Sequence, residues 1–156
     1  MVTQKIVFTL VSFLHNFFTV VWVGGLAFMI LTFFPSVKKS IGKSPQAKDL
    51  VTKVTCQHRV WVYISIVVLF VTGMLLGKAN PNQTGFMHFD TTYAVIASIK
   101  HILTFLMILV AVFRSVFFGK GNTNNASKNT IGKLPILINF ILGLIVLLLS
   151  SIMAAI

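Results

Sequence analysis

Four long apolar runs divide this chain and limit what it can fold into. They cover about residues 6–34, 60–76, 92–113 and 134–156, the third with its flanks included. A helix that crosses the hydrocarbon core of a bilayer needs roughly 20 mostly apolar residues. In lipid the backbone groups must hydrogen-bond within the segment, and the alternation typical of a membrane β-strand is absent. The runs therefore predict an all-α, polytopic membrane protein, a single domain spanning residues 1–156 as a bundle of four transmembrane helices.

Proline and basic residues predict where these helices begin and end. The first helix is expected to stop at Pro35, because an interior proline breaks the hydrogen-bond ladder. The second is expected to begin near Val60, and the third to end near Arg114. The fourth is expected to begin at Leu134–Pro135, since proline is tolerated in a first turn.

The charge balance supports a membrane protein over a nucleic-acid-binding protein. Hydrophobic residues make up 56% of the 156 residues and charged residues only 10%, against about 25% charged in soluble domains. The chain has thirteen Lys and Arg residues but only two acidic residues, which gives a net charge of +11. Because the basic residues lie between the apolar runs, they indicate membrane orientation. We expect the lipid bilayer as a partner, other membrane subunits as further partners, and no nucleic acid.

The basic residues also predict the orientation of the helices. Ten of the thirteen lie between the first and second runs or between the third and fourth. The positive-inside rule predicts that the loops 36–59 and 114–133 are cytoplasmic and both termini outside, in a multi-pass protein of the cell membrane. The first run is too long for a signal peptide and lacks a cleavage site, so it is predicted to be a span.

Two histidines lie within the predicted spans at similar depth. His15 and His101 each come about nine residues, or about 14 Å, after the outer end of a span that starts outside. Ionisable groups at membrane depth indicate function. Two imidazoles suit the axial positions of haem b or two ligands of a copper ion. The alternative is that each histidine only hydrogen-bonds a neighbouring helix.

Other polar and small residues in the spans could contribute to such a site. Lys100 precedes His101 and either extends toward the interface or pairs with an anionic group such as a haem propionate. Trp22 shares a helical face with His15, and Gly25 would let a flat cofactor or another helix approach closely. The neutral Asn16 and Asn139 are expected to contact other helices instead.

Two further groups outside the membrane centre could bind metal. Met87, His88 and Asp90 lie together in the predicted outer loop, where such ligands suit copper; the alternative is a short interfacial loop anchored by neighbouring phenylalanines. His58 lies two residues after Cys56, the single cysteine of the chain. Two ligands make a weak metal signal, so His58 is predicted to be a solvated interfacial residue.

The sequence contains no recognisable catalytic set. It has no glutamate, no phosphate-binding glycine loop and no dinucleotide fingerprint. We assign no catalytic residue, and we expect that the protein is not an enzyme by itself. Any redox chemistry would come from a bound haem or copper.

The first span carries a pattern that resembles a known family. His15, Trp22, Gly24-Gly25-Leu26 and Phe28, followed by Pro35, resemble the first helix of the copper resistance D (CopD) family. The Thr72-Gly73 step near the end of the second span and Lys100 in the third fit the same resemblance. The protoporphyrinogen oxidase family HemJ shares part of this pattern, but its members carry an arginine just after the glycines.

The resemblance, which covers residues 8 to 114, implies copper handling at the outer membrane face, with or without bound haem. This chain has no arginine before Arg59, so porphyrinogen oxidation is not implied. Two alternatives remain open. One is an accessory subunit of a larger membrane metalloenzyme, for example a copper-dependent monooxygenase. The other is a cytochrome b-type electron-transfer protein.

Overall fold

The computed structural model describes residues 2–79, 91–118 and 134–155, and these residues are almost entirely helical. Four of the helices are long and apolar enough to cross a membrane, and no strand occurs in the described ranges. The prediction of an all-α, four-helix membrane bundle is confirmed. In chain order the elements are α1 (Val2–Ala27), a π-helix (Phe28–Phe33), α2 (Phe34–Ser40), α3 (Pro45–Ala79), α4 (Thr92–Phe118) and α5 (Leu134–Ala155).

The first span does not stop at Pro35, and that prediction is wrong. The helix continues through the π-helix into α2 and ends at Ser40. The backbone N–H of Phe34 bonds the carbonyl of Met29, five residues back. This wider turn changes the local ladder just before Pro35, whose missing N–H and ring would disrupt a regular α-helix. Local π adjustments are a known way for membrane helices to accommodate proline.

The second span begins fifteen residues earlier than predicted, at Pro45. Ser44 caps the helix, because its Oγ accepts a hydrogen bond from the N–H of Ala47 at 3.2 Å. Gly42 forms the preceding turn with a φ of 67°, a conformation that glycine adopts without strain. The 35 residues of α3 measure about 52 Å at 1.5 Å per residue, so α3 is longer than the bilayer core.

The remaining two spans agree with prediction more closely. The helix α4 begins at Thr92, where Thr91 Oγ1 accepts a bond from the N–H of Ala94 at 3.2 Å. It ends at Phe118 rather than near Arg114, which therefore lies inside the helix. The helix α5 begins at Leu134 as predicted and holds Pro135 in its first turn.

The pairs of neighbouring helices differ in how extensively they pack against each other. In the described residues α1 packs along α3, α4 packs along α5, and α1 also contacts α5, whereas α3 and α4 touch at few positions. The bundle thus consists of two helix pairs joined through α1 and α5, with a loosely packed α3–α4 side. We call the end of the bundle near the turn 41–44 the basic end.

One apolar core joins the four spans. It is formed by the buried side chains of Trp22, Leu26, Val62, Met107 and Ile136. Many large apolar side chains remain on the outer surface; Val20 and Leu31, for example, are each 67% exposed. An apolar surface of this extent fits hydrocarbon rather than water.

Candidate cofactor site

His15 lies against α3 and is hydrogen-bonded there. Its Nδ1 is 2.9 Å from Oγ1 of Thr72, and a Cβ at Gly73 would lie 3.6 Å from its Cε1, an ordinary contact. Thr72 Oγ1 is also 2.7 Å from the carbonyl oxygen of Val68, four residues back. A hydroxyl has one proton, and a helical threonine commonly gives it to that carbonyl. Thr72 therefore accepts a bond from Nδ1–H of His15.

This hydrogen bond determines which ring nitrogen of His15 is available. With the proton on Nδ1, the Nε2 atom of the neutral imidazole carries the free lone pair. Histidines that bind metals usually donate their other N–H to a neighbouring acceptor, which holds the ring and its tautomer in place. The His15–Thr72 pair has this arrangement, with Nε2 as the potential ligand atom.

The structure places Lys100 near both membrane histidines. Lys100 of α4 is half-buried and lies close enough for its charge to act on His15 and on His101. The half-buried His101 ring interacts with the backbone of Ala97, one turn earlier in α4. Lys100 therefore lies within the range of charge interaction of both histidines that the sequence predicts as ligands.

The levels of His15 and His101 can be compared through Gly143 of α5. A Cβ at Gly143 would lie 3.0 Å from Val23 Cγ2 and 3.4 Å from Met107 Cε, so these residues of α1 and α4 share one level. His15 comes about 12 Å before Val23, and His101 about 9 Å before Met107, at 1.5 Å per residue. The backbone positions of the two histidines thus lie within about one helical turn of each other along the bundle.

Trp22 and Gly25 lie elsewhere. Trp22 is 2% exposed within the apolar core, beside Val62 and Met107. Gly25 faces the ring of His58 on α3, about 15 Å further along α1 than His15. Gly25 thus accommodates His58, and the structure does not bring it to the His15–Lys100–His101 neighbourhood.

The expectation of a solvated His58 is wrong. The side chain is half-buried, and its Nε2 atom is buried without a hydrogen-bond partner in the described part of the chain. The glycine at position 25 provides the space that the ring occupies. Cys56 is a free, half-buried thiol whose Sγ lies 3.8 Å from Nη2 of Arg59.

The two asparagines of the spans have different surroundings. Asn16 is exposed on the outer surface of α1, so the prediction that it contacts another helix is wrong. Asn139 is only 4% exposed, which agrees with a position between helices. Its Oδ1 has no hydrogen-bond partner in the described ranges.

The number of metal-ligating side chains limits which metal or cofactor the described residues can bind. Met87, His88 and Asp90 lie outside the described residues. Within 2–79, 91–118 and 134–155 no three His, Cys, Asp or Glu side chains are grouped so that they could hold a metal ion. Two histidines would be sufficient for a group that takes two protein ligands, such as haem b. Copper could take the same two nitrogens.

Three polar residues of α3 lie at a regular spacing that the predictions from the sequence did not use. His58, Ser65 and Thr72 follow one another at seven-residue intervals, which places them on one face of α3. All three turn toward the interior: Ser65 is fully buried, and the other two contact α1. A search for polar residues at helical spacing would have placed Thr72 on the same face of α3 as Ser65 and His58.

Comparison with known proteins found no match for this chain. No protein-family model matches the chain, and neither a curated protein nor a solved structure matches it significantly. The function must therefore be inferred from the residues described above.

Proposed function

We propose that this is a membrane protein resembling CopD that holds a redox-active group, haem b or copper, at the His15–His101 level. Its role would be copper handling or electron transfer at the membrane face opposite the basic end. The observation that carries the proposal is the neighbourhood of His15, Lys100 and His101, with Thr72 bonded to Nδ1 of His15. Orientation by the positive-inside rule would make this face the outer one.

Each residue of the site would have a distinct part in binding. His15 would offer Nε2 as a ligand while Thr72 holds the ring. His101 would offer the second imidazole from α4. Lys100 would supply a positive charge for an anionic substituent of the bound group, such as a propionate. A bound haem or copper would provide the one-electron chemistry.

The test is cofactor content in matched histidine variants. Wild type, His15→Ala, His101→Ala and His58→Ala would be purified from membranes, and the absorption spectrum, haem content and copper per chain measured. We expect the wild type to carry one of the two groups and both site variants to lose it. His58→Ala removes an imidazole at the basic end and should retain it. A wild type with neither a Soret band nor stoichiometric copper would refute the proposal.

A second candidate is an accessory subunit of a larger membrane metalloenzyme. It is favoured because the described residues lack a group of three metal-ligating side chains. A catalytic copper centre would then need ligands from residues 80–90 or from another subunit. Native electrophoresis of gently solubilised membranes distinguishes the two. Migration at the mass of the single chain with its cofactor bound would contradict the subunit hypothesis.

A further inference from the structure

A second group of polar side chains lies at the basic end, shared by α3 and α4. Arg114 of α4 is close enough for charge interaction with Arg59, Cys56 and Tyr63 of α3, and also with His58. Cys56, Arg59 and Tyr63 follow at intervals of three and four residues and so share one face of α3. Two guanidinium groups from different helices therefore lie within the range of charge interaction at the basic end, where α3 and α4 touch at few positions.

No side chain of the described residues neutralises this pair. Asp49 is the single carboxylate in those ranges, and it is bonded to Lys53 at 2.8 Å. It lies about 15 Å along α3 from Arg59. The hydrogen bond of Arg59 to Cys56 Sγ is long, at 3.8 Å, and thiol sulfur is a weak acceptor.

Two half-buried like charges at a membrane boundary are costly without an anion. Both Arg59 and Arg114 are half-buried, and removing an unpaired charge from water is unfavourable. Arginine in a membrane protein therefore usually finds an anionic partner or reaches the headgroup region. The planar guanidinium presents paired N–H donors that match phosphate oxygens.

Away from the arginines, the same face of α3 becomes apolar. Phe70 continues the helical spacing of Arg59 and Tyr63 and is 59% exposed, while Ile66 at the same spacing packs partly against the core. Because α3 and α4 touch at few positions, an acyl chain can lie along this side. Two arginines at the basic end, beside an apolar face of α3, are complementary to a lipid with an anionic headgroup.

We propose that Arg59 and Arg114 bind the phosphate of an anionic glycerophospholipid from the leaflet at the basic end, with an acyl chain along the α3–α4 side. The site is separate from the histidine neighbourhood and does not depend on a cofactor there. Basic pockets between transmembrane helices bind anionic headgroups in this way. The lipid would supply both the counter-charge and the packing that this side of the bundle lacks.

Native mass spectrometry of the delipidated full chain tests the proposal. Phosphatidylglycerol, phosphatidylcholine and inorganic phosphate would be titrated separately into wild type, Arg59→Gln/Arg114→Gln and Lys39→Gln. Lys39 is an exposed cation at the same end, so its variant is the control for charge alone. We expect one phosphatidylglycerol to bind the wild type more tightly than phosphatidylcholine. The preference should disappear in the double variant and remain in Lys39→Gln.

Several results would overturn the lipid site. These are an equal affinity of the wild type for both lipids, a preference that survives in the double variant, or one that Lys39→Gln also abolishes. Arginine-dependent binding of inorganic phosphate would show a site for free phosphate instead. If the double variant does not fold, Arg59→Lys/Arg114→Lys keeps the charge without the paired donors and should show a weaker preference; an unchanged preference would contradict the proposal.

Discussion

The imidazole of His58 occupies the space that a side chain at Gly25 would need. A Cβ at Gly25 would lie 3.0 Å from Nδ1 of His58 and closer still to Cε1. The contact joins α1 to α3 across the basic half of the bundle. The adjacent Gly24 has different surroundings, since a Cβ there would meet only Val20 Cγ1, at 3.8 Å.

Gly25→Ala should therefore destabilise the protein. The added methyl group must displace the His58 ring, and overpacking of this kind costs about 1–3 kcal/mol. Gly24→Ala is the control and should be neutral or stabilising by up to about 1 kcal/mol, because alanine is the better helix former. Unfolding in detergent, followed by circular dichroism, measures both. Equal stability of the two variants would contradict the contact, and His58→Ala should relieve the effect of Gly25→Ala.

Thr72→Val should weaken cofactor binding while leaving both histidines in place. Valine has the shape of threonine but cannot accept the bond from Nδ1–H of His15. Loss of such a supporting bond typically costs about 10–100-fold in affinity. Titration of the apoprotein with haem b or with copper, whichever the wild type holds, measures this. Thr104→Val is the control, since Thr104 Oγ1 bonds only the carbonyl of Lys100 on its own helix in the described structure; an equal loss there would contradict the role of Thr72.

Ser65→Ala should leave stability unchanged or raise it. Ser65 is 0% exposed, and its hydroxyl has no hydrogen-bond partner within the described ranges. An unsatisfied buried polar group costs about 1–3 kcal/mol, which the substitution would remove. Ser150→Ala is the control, because that hydroxyl bonds the carbonyl of Val146 at 2.8 Å. A loss of more than about 1 kcal/mol in Ser65→Ala would show that a bound water or ligand satisfies the hydroxyl.

Ser44→Ala should loosen the start of α3. The substitution removes the cap on the N–H of Ala47, and the loss of such a cap costs about 1 kcal/mol. Hydrogen exchange of the first-turn amides is the direct measurement, and these should exchange faster. Ser40→Ala changes a nearby exposed serine and should leave them unaffected. Unchanged exchange in Ser44→Ala would contradict the cap.

The fold could be predicted from the sequence because the bilayer restricts the structures that an apolar segment can form. Apolar runs of sufficient length must form helices, and all four spans are where those runs predict them. The errors occurred at the boundaries, where other physics acts. Hydropathy does not register the polar first turns of α3, although Ser44 and Pro45 are a recognisable helix start. Proline was expected to end the first span, yet a π-helix accommodates it.

The candidate site was predictable only in part. His15 and His101 could be grouped by depth, because depth depends on residue counts and helix direction, and Lys100 was considered with them because it precedes His101. Which side chains face each other depends on helix rotation and pairing, and a single sequence does not specify these. For this reason Gly25 was grouped with the cofactor although it accommodates His58. Asn16 was expected between helices, whereas it lies on the outer surface.

The π-helix at Phe28–Phe33 also changes how this chain should be aligned with other proteins. Met29 is buried, and the next buried residue toward the basic end is Val37, eight positions later, while Ser36 is exposed. In a regular α-helix the seventh position would return to the same face. The π-turn thus acts as a one-residue insertion. A homologue lacking one residue here would keep the same interior, so a gap inside this transmembrane helix would be structurally correct.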